Sequence, residues 1–236
     1  MKKFESELVR ICHALAENKY VTSHGGNVSC KRTDDSIYIT PTKVSKGSLT
    51  TDDIIHVNID SGDVIQIPHN NMNNKPTSEL PFHLHLYKKR KDINCIIHAH
   101  PPVLTGFAIA RTTILQKPFL PEVAFEIGSV RNIKYAEPGS DELAKEFDNE
   151  IDKGNAFLME NHGITIVGTN GLTRCFELLE MLEAQAKSIV VANTINVPCS
   201  IPSDGLDGLN RVIKKRKLNL PCAPNYADDL KKLFDL

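Results

Sequence analysis

Two histidines, His98 and His100, stand one residue apart at the end of an apolar run of the chain. The run, INCIIHA at residues 93–99, has the character of a buried strand. Alternate residues of a strand point to the same face, so the two imidazoles are expected to converge. Because histidine is the commonest metal ligand in proteins, the pair predicts part of a metal site. Two half-buried histidines without a ligand are the alternative.

His162 is the candidate for a third ligand. It lies in the tripeptide NHG, residues 161–163, between predicted strands at 156–160 and 164–167. Gly163 is expected to let the backbone turn sharply there. Three histidines with an open fourth position are typical of a catalytic zinc site. A histidine in a plain turn is the alternative.

Glu79 is the candidate carboxylate, because it follows Thr77 and Ser78 at the predicted start of a helix over 78–90. The free N–H groups and the positive dipole end of a helix N-terminus stabilise an anion. A carboxylate beside a metal serves as a ligand, as a proton acceptor, or as both in turn. Capping and dipole roles are the alternative for these three residues.

Two further segments have the composition of phosphate-binding turns. SHGGNVS at 23–29 contains two glycines, which let backbone N–H groups approach an anion closely. ITPTK at 39–43 ends a predicted strand with a hydroxyl and an ammonium group. A tight turn is the alternative for the glycine pair.

The elements that must position these residues follow from hydrophobic periodicity and turn residues. Further helices are predicted over 4–18, 140–152 and 171–193. Further strands are predicted at 36–40, 54–59, 64–67 and 127–135, with a polar loop at 69–76. Helices and strands alternate irregularly, which predicts one domain over 1–236 with a mixed α/β sheet covered by helices.

Composition narrows the class of protein. The chain has 236 residues, 28 Lys and Arg, 29 Asp and Glu, and a formal net charge of −1. This balance argues against a nucleic-acid or anionic-membrane partner, and we interpret the basic run at 214–217 as a solvated tail helix. The sequence has no apolar run of about 20 residues that would span a membrane. Six scattered cysteines without a C-x-x-C pair indicate reduced thiols and a cytoplasmic location.

Taken together, five segments resemble the class II aldolase/adducin family, in its order and spacing. They are SHGGNVS (23–29), ITPTKVSKGSLTTDDI (39–54), PTSELPFHLHLYKKRKDINCIIHAHPP (76–102), YAEPGSDELA (135–144) and FLMENHGITIVG (157–168). The resemblance extends from about Phe4 to Val191. It implies a single three-layer α/β/α domain around a mostly antiparallel sheet. It also implies a cyclic homotetramer with active sites between subunits.

The resemblance also assigns site residues. It places the zinc ligands on His98, His100 and His162, although imidazoles accept other divalent ions. Glu79 matches the carboxylate that takes a proton from the substrate and also contacts the metal. Phosphate contacts are implied at five positions: Gly26, Asn27, Thr42, Thr77 and Ser78. His83 matches a recurring family histidine that we interpret as structural.

The branch of the family decides the reaction. The sequence resembles most the aldolase branch, that of L-fuculose-phosphate aldolase. This resemblance implies a zinc-dependent aldolase that cleaves or forms a short ketose phosphate through a metal-stabilised enediolate of dihydroxyacetone phosphate. The epimerase branch usually carries Asp at the position of Glu79, which argues against that branch. Adducin-like interaction modules lack the histidine set, so a non-catalytic role is a weaker alternative.

Two departures from the aldolase branch leave the reaction open. Lys43 stands where the aldolase branch commonly has a glycine. Its ammonium group either adds a positive charge that binds the phosphate or points to solvent. The stretch 117–125, KPFLPEVAF, lacks the tyrosine that serves as the acid in the fuculose-phosphate branch. Glu122 is the ionisable residue available there. It is either the acid or a surface loop residue without a catalytic role. Since the branch of methylthioribulose-1-phosphate dehydratase uses a glutamate at about this spacing, Glu122 also keeps a sugar-phosphate dehydratase as an alternative.

Overall fold

The computed structural model describes residues 3–66 and 74–236. The strands, in chain order, are β1 (Asn27–Thr33), β2 (Ser36–Ile39), β3 (Ile55–Asn58), β4 (Val64–Gln66), β5 (Cys95–Ala99), β6 (Arg131–Ile133), β7 (Ala156–Met159) and β8 (Gly163–Gly168). The helices are α1 (Lys3–Glu17), α2 (Leu80–Lys89), α3 (Pro102–Ala110), α4 (Pro121–Glu126), α5 (Asp141–Glu146), α6 (Leu172–Ile195), α7 (Ser203–Arg216) and α8 (Leu230–Leu233).

The strands form one sheet in the order β4-β3-β2-β1-β5-β8-β7-β6. Six of its seven pairings are antiparallel, and the pairing of β6 with β7 is parallel. Short connections join three of the antiparallel pairs, β1 with β2, β3 with β4 and β7 with β8. The predicted mostly antiparallel sheet is therefore confirmed.

Helices cover both faces of the sheet. The cluster that contains Leu8, Ile97 and Leu179 joins α1, α3 and α6 to one face. A second cluster, with Phe82 and Phe147, joins α2 and α5 to the other face. This three-layer arrangement is the one predicted, because each apolar sheet face must be buried against a helix. Helices α4, α7 and α8 share a third cluster at the tail of the chain.

The alternation along β5 sets the face on which the two histidines lie. Ile97 packs in the first cluster and Ile96 in the second. His98 and His100 have the parity of Ile96 and so share its face, the one covered by α2. The Phe82 ring of α2 lies edge-on to His98 with ring centroids 5.8 Å apart.

Several predicted boundaries shift. Helix α2 begins at Leu80 rather than Ser78. Helix α5 is capped by Ser140 as expected, with Leu143 N donating to its Oγ at 3.1 Å. The helix ends at Glu146 because the chain continues in i,i+3 turns. The predicted strand at 127–135 shortens to β6 because Gly128 takes a left-handed conformation, φ 73°. Ile67 and most of the predicted loop at 69–76 lie outside the described residues.

Other sequence features are placed as follows. All six cysteines are free thiols, and only Cys199 is exposed. The basic run at 214–217 is exposed and closes α7, as predicted for a solvated helix. Within the described ranges, no helix combines the length and the apolar character that crossing a membrane requires.

Candidate active site and metal centre

A row of polar side chains crosses the centre of the sheet. Asn27 of β1 lies directly opposite His98 of β5, which in turn lies opposite Thr165 of β8. His98 Nδ1 is 3.0 Å from the carbonyl oxygen of Ile164. Because a carbonyl only accepts a hydrogen bond, Nδ1 carries the proton and Nε2 presents a lone pair.

Three imidazoles and one carboxylate converge around that lone pair. His100 Nε2 is 3.0 Å from His98 Nε2. Glu79 Oε2 is 3.3 Å from His98 Nε2, and Glu79 Oε1 is 3.3 Å from His162 Nε2. The ligand atoms of the three histidines all lie within 4.8 Å of one another. The structure thus brings together the four residues that the sequence singled out.

The turn that presents His162 is made differently from the prediction. Asn161, and not Gly163, takes the left-handed conformation, φ 54°. Gly163 is the first residue of β8, where a Cβ would lie 2.5 Å from the Ala99 carbonyl oxygen and 2.5 Å from His100 Cδ2. Glycine is required at this position for close packing against the His100 strand end.

Glu79 stands immediately before α2, in the N-cap position, yet its side chain makes no capping bond. Its backbone N–H donates to Thr77 Oγ1 at 3.3 Å, and its Oε2 accepts a hydrogen bond from Asn27 Nδ2 at 2.7 Å. The carboxylate is therefore directed at the histidines and away from the helix backbone. The residue is only 7% exposed.

Burial controls the protonation of the cluster. It lowers the pKa of His98 well below its ordinary value, and the neighbouring charges of His100 and His162 add to the effect. Burial, His162 and Lys46 lower the pKa of His100 to about 4. Burial raises the pKa of Glu79, against the opposing effects of His162, the Asn27 hydrogen bond and Lys46. His98 and His100 are thus neutral at pH 7, with lone pairs available to a metal ion.

The cluster fits a divalent cation. Glu79 Oε1 and His162 Nδ1 are buried and have no hydrogen-bond partner in the described part of the chain. An unpaired buried polar atom is costly, so Glu79 Oε1, which lies 3.3 Å from His162 Nε2, indicates a site for a ligand beside the imidazoles. Imidazole nitrogens with one carboxylate match the donors that zinc takes in catalytic sites.

The predicted phosphate segments border this cluster. At Gly26, φ is 67° and a Cβ would lie 2.8 Å from the His98 carbonyl oxygen, so glycine lets the 23–27 turn reach β5. Thr42 N donates to the Lys75 carbonyl at 2.9 Å, and Thr77 N donates to the Thr40 carbonyl at 3.1 Å. These bonds place Thr42, Thr77 and the exposed Ser78 on adjoining segments next to Glu79.

Three predicted residues behave differently from the rest. The side-chain amide of Asn27 is directed at Glu79 and His83. Lys43 is exposed and left-handed, φ 59°, which is the conformation that favours glycine. Glu122 is exposed in the first turn of α4 and does not belong to the group of His98, His100 and His162 that could hold a metal ion.

Sequence reasoning missed Lys46, a lysine that is only 1% exposed. Its Nζ donates to the carbonyls of His24 and Val44, at 3.1 Å each, and so ties the 23–27 turn to the segment after β2. Burial lowers the pKa of Lys46, against the effects of Cys12 and Glu79. Nothing in the local sequence KVSKGS distinguishes this lysine from an exposed one.

The sequence of the chain matches a known family. Residues 6–190 match the family described as Class II Aldolase and Adducin N-terminal domain. The chain belongs to this family, which confirms the resemblance drawn from the sequence.

Individual relatives include two kinds of enzyme. The chain is 36% identical over 183 residues to L-fuculose phosphate aldolase of Methanocaldococcus jannaschii, covering 78% of this chain and 93% of that protein. It is 30% identical over 183 residues to 3-oxo-tetronate 4-phosphate decarboxylase of Haemophilus influenzae, covering 76% and 83%. A solved structure of L-fuculose 1-phosphate aldolase superposes with a TM-score of 0.79 at 28% identity, covering 92% of this chain and 98% of that one.

Proposed function

We propose that this protein is a metal-dependent aldehyde-lyase that cleaves or forms a short ketose phosphate. The observation that carries the proposal is the position of Glu79, whose two carboxylate oxygens lie 3.3 Å from imidazole nitrogens of His98 and His162. A buried base beside a set of metal ligands is suited to removing a proton next to a carbonyl group. The similarity to an aldolase of sugar phosphates supports the same reaction class.

His98, His100 and His162 would hold the ion, with Glu79 as a further ligand in part of the cycle. When bound, a divalent ion would act as a Lewis acid on the substrate carbonyl and stabilise the developing negative charge. Zinc is our candidate, since the donors are nitrogens with one carboxylate; other divalent ions also bind such a set.

Glu79 supplies the proton chemistry. In the condensation direction its carboxylate takes a proton from the hydroxymethyl carbon of dihydroxyacetone phosphate, and the C–H electron pair remains on the substrate as an enediolate. In cleavage the same carboxyl group returns the proton to that carbon. Burial raises the pKa of Glu79 and so strengthens it as a base.

The phosphate group is assigned to the segments beside the cluster. Gly26 offers its backbone N–H group, Asn27 follows it at the start of β1, and Thr42, Thr77 and Ser78 offer hydroxyls. Lys43 adds a cation at the edge of this region. The positive charge of buried Lys46 lies within electrostatic reach of Glu79 and His100, and it favours an anionic substrate there.

Glu122 is our candidate for the acid that protonates the leaving aldehyde oxygen. Because Glu122 is exposed on α4, this role requires a site completed by a second subunit. We therefore propose a homotetramer with sites between subunits. Exposed apolar residues on the last turns of α6, Val190, Val191 and Ile195, support assembly.

The extent and location of the protein are also proposals. We propose that residues 1–236 act as one domain, since Arg131 NH1 donates to Asp235 Oδ2 of the tail at 2.8 Å. Six free thiols support a reducing compartment, and we propose the cytoplasm.

A decarboxylase is the second candidate, because one relative carries that name. Loss of carbon dioxide from a 3-oxo-tetronate 4-phosphate and cleavage of a ketose 1-phosphate leave the same three-carbon enediolate, so the Glu79 site serves either reaction. A dehydratase would instead rest on Glu122.

Product analysis separates these reactions. The zinc-loaded protein is given L-fuculose 1-phosphate or a 3-oxo-tetronate 4-phosphate, with Glu79→Gln as the matched control. We expect dihydroxyacetone phosphate and an aldehyde from the first substrate. Carbon dioxide from the second substrate alone would favour the decarboxylase. Full activity of Glu79→Gln would contradict the assignment of the base.

A further inference from the structure

A chain of buried hydrogen bonds extends from Glu79 into the layer between α2 and β1. Glu79 Oε2 accepts from Asn27 Nδ2 at 2.7 Å, and Asn27 Oδ1 is 2.5 Å from His83 Nε2. His83 Nδ1 is 2.8 Å from Ser29 Oγ, which is 2.9 Å from the Tyr87 hydroxyl. His83, Ser29 and Tyr87 are 0% exposed, and Asn27 is 3% exposed.

The spacing of these residues along α2 and β1 explains how the series of hydrogen bonds forms. Glu79, His83 and Tyr87 are four residues apart along the start and body of α2, so they follow one face of the helix. Asn27 and Ser29 are two apart on β1 and share one face of the sheet. The two rows of side chains meet across the layer and pair in alternation.

The direction of every hydrogen bond is fixed from the carboxylate outward. An ionised carboxylate only accepts, so the NH2 group of Asn27 faces Glu79 and the amide oxygen faces His83. His83 must then donate from Nε2, which leaves Nδ1 to accept from Ser29. Ser29 Oγ in turn accepts from Tyr87. Burial lowers the pKa of His83 to about 3, consistent with a single N–H on this ring.

The two carboxylate oxygens of Glu79 have different surroundings in this series of hydrogen bonds. Oε2 is held by Asn27, whereas Oε1 is buried and has no hydrogen-bond partner among the described residues. A proton that arrives on Oε1 leaves the Asn27–Oε2 bond unchanged, because Oε2 still accepts. The carboxyl group can therefore gain and lose a proton without rotating.

We propose that His83 is a positioning residue, which holds Asn27 and through it Glu79 so that Oε1 is the atom that takes the substrate proton. The C–H bond breaks toward Oε1, and its electron pair stays on the substrate as the enediolate. This inference rests on the proposed function. It assigns a catalytic purpose to a histidine that would otherwise only satisfy buried polar groups.

Two substitutions of His83 test the proposal. His83→Leu removes both hydrogen bonds, whereas His83→Gln keeps one donor and one acceptor. The readout is exchange of the hydroxymethyl proton of dihydroxyacetone phosphate in D2O, followed by NMR. We expect His83→Leu to lower kcat by about 10- to 100-fold, with KM within about threefold and metal content unchanged. His83→Gln should recover most of the rate.

His85→Leu is the matched control, since His85 lies on the same helix but pairs with Asp148 at its partly exposed face. It should exchange at the wild-type rate. If His83→Leu does not fold, Ser29→Ala removes the donor to Nδ1 at smaller cost and should lower kcat without raising KM. Equal losses in both His83 variants, or a loss in KM alone, would overturn the positioning role.

The tautomer of His83 gives a readout without turnover. Nitrogen-15 NMR of the wild-type protein, with and without metal, should show the proton on Nε2. A proton on Nδ1 would overturn the proposal whether or not the enzyme is active. A proton on Nε2 together with no exchange by the wild type would show that the hydrogen-bond chain is correct and that the proposed function has failed.

Discussion

Replacing Gly163 with alanine tests how closely the proposed metal site depends on packing between two strand ends. A Cβ at this position would lie 2.5 Å from both the Ala99 carbonyl oxygen and His100 Cδ2. An ordinary contact needs about 3.5 Å, so the neighbours must move by about 1 Å. The His100 ring can shift by itself, whereas the Ala99 carbonyl belongs to β5 and retreats only if the end of that strand, which also carries His98, moves.

The shift has two measurable costs. Overpacking of this kind destabilises a protein by about 1 to 3 kcal/mol. Displacing a ligand through its surroundings costs about 10- to 100-fold in metal affinity, or roughly 1.4 to 2.7 kcal/mol. We predict both effects for Gly163→Ala, the first in urea unfolding of the metal-free protein and the second in zinc competition with a chromogenic chelator.

Gly106→Ala is the matched control. Gly106 lies within α3, and a Cβ there would meet no atom within 4 Å. Alanine in a helix is more stable than glycine by roughly 0.5 to 1 kcal/mol, so this variant should be slightly stabilised and should bind zinc normally. Zinc binding by Gly163→Ala within twofold of the wild type would refute the argument, as would an equal loss in Gly106→Ala.

Three further predictions follow from particular side chains. Lys43→Gly should raise the free energy of unfolding by about 1 kcal/mol, because Lys43 has a left-handed backbone conformation. The same variant should raise KM for a sugar phosphate severalfold at constant kcat. An unchanged KM would show that Lys43 only points to solvent. Glu122→Gln should lower the rate of cleavage by about 100-fold or more but leave the proton exchange of dihydroxyacetone phosphate unchanged. The reason is that exchange does not need an acid for the aldehyde oxygen. Equal losses of cleavage and exchange would contradict this role. Since the pKa of His83 is about 3 in the fold, the unfolded chain binds a proton below about pH 6.5 that the folded chain refuses, so stability falls as pH drops from about 6.5 toward 3. In urea unfolding of the metal-free proteins, the free energy of unfolding of His83→Gln should depend less on pH than that of the wild type, by up to about 1.4 kcal/mol per pH unit. The same pH dependence in the variant and the wild type would refute the effect of His83.

Much of the site was predictable because it follows local periodicity. Strand alternation placed His98 and His100 on one face, and the hydroxyl-rich start of α2 placed Glu79 near a helix N-terminus. The NHG tripeptide placed His162 in a turn between two strands. The expectation that Gly163 makes the sharp turn was wrong, because Asn161 takes the left-handed conformation. Gly163 is needed instead for the close approach of β5 and β8, which depends on how the strands pair and not on the tripeptide itself.

The remaining features depend on tertiary contacts that a single segment does not encode. The burial of Lys46 follows from two carbonyls supplied by distant turns. The pairing of His83 with Asn27 requires the register between α2 and β1, which the spacing of residues along α2 does not provide. The role proposed for Glu122 would depend on contacts with a second subunit, so its assignment stays a prediction.

Proton exchange at the hydroxymethyl carbon of dihydroxyacetone phosphate, followed by NMR in D2O, tests the central claim most directly. It requires the metal site, the base and the phosphate contacts, but not the identity of the aldehyde. The account predicts stereospecific exchange in the wild type that stops on chelation and is absent from Glu79→Gln, even though that variant still binds zinc. No exchange by a wild-type protein that carries one zinc per chain, or undiminished exchange by Glu79→Gln, would contradict it.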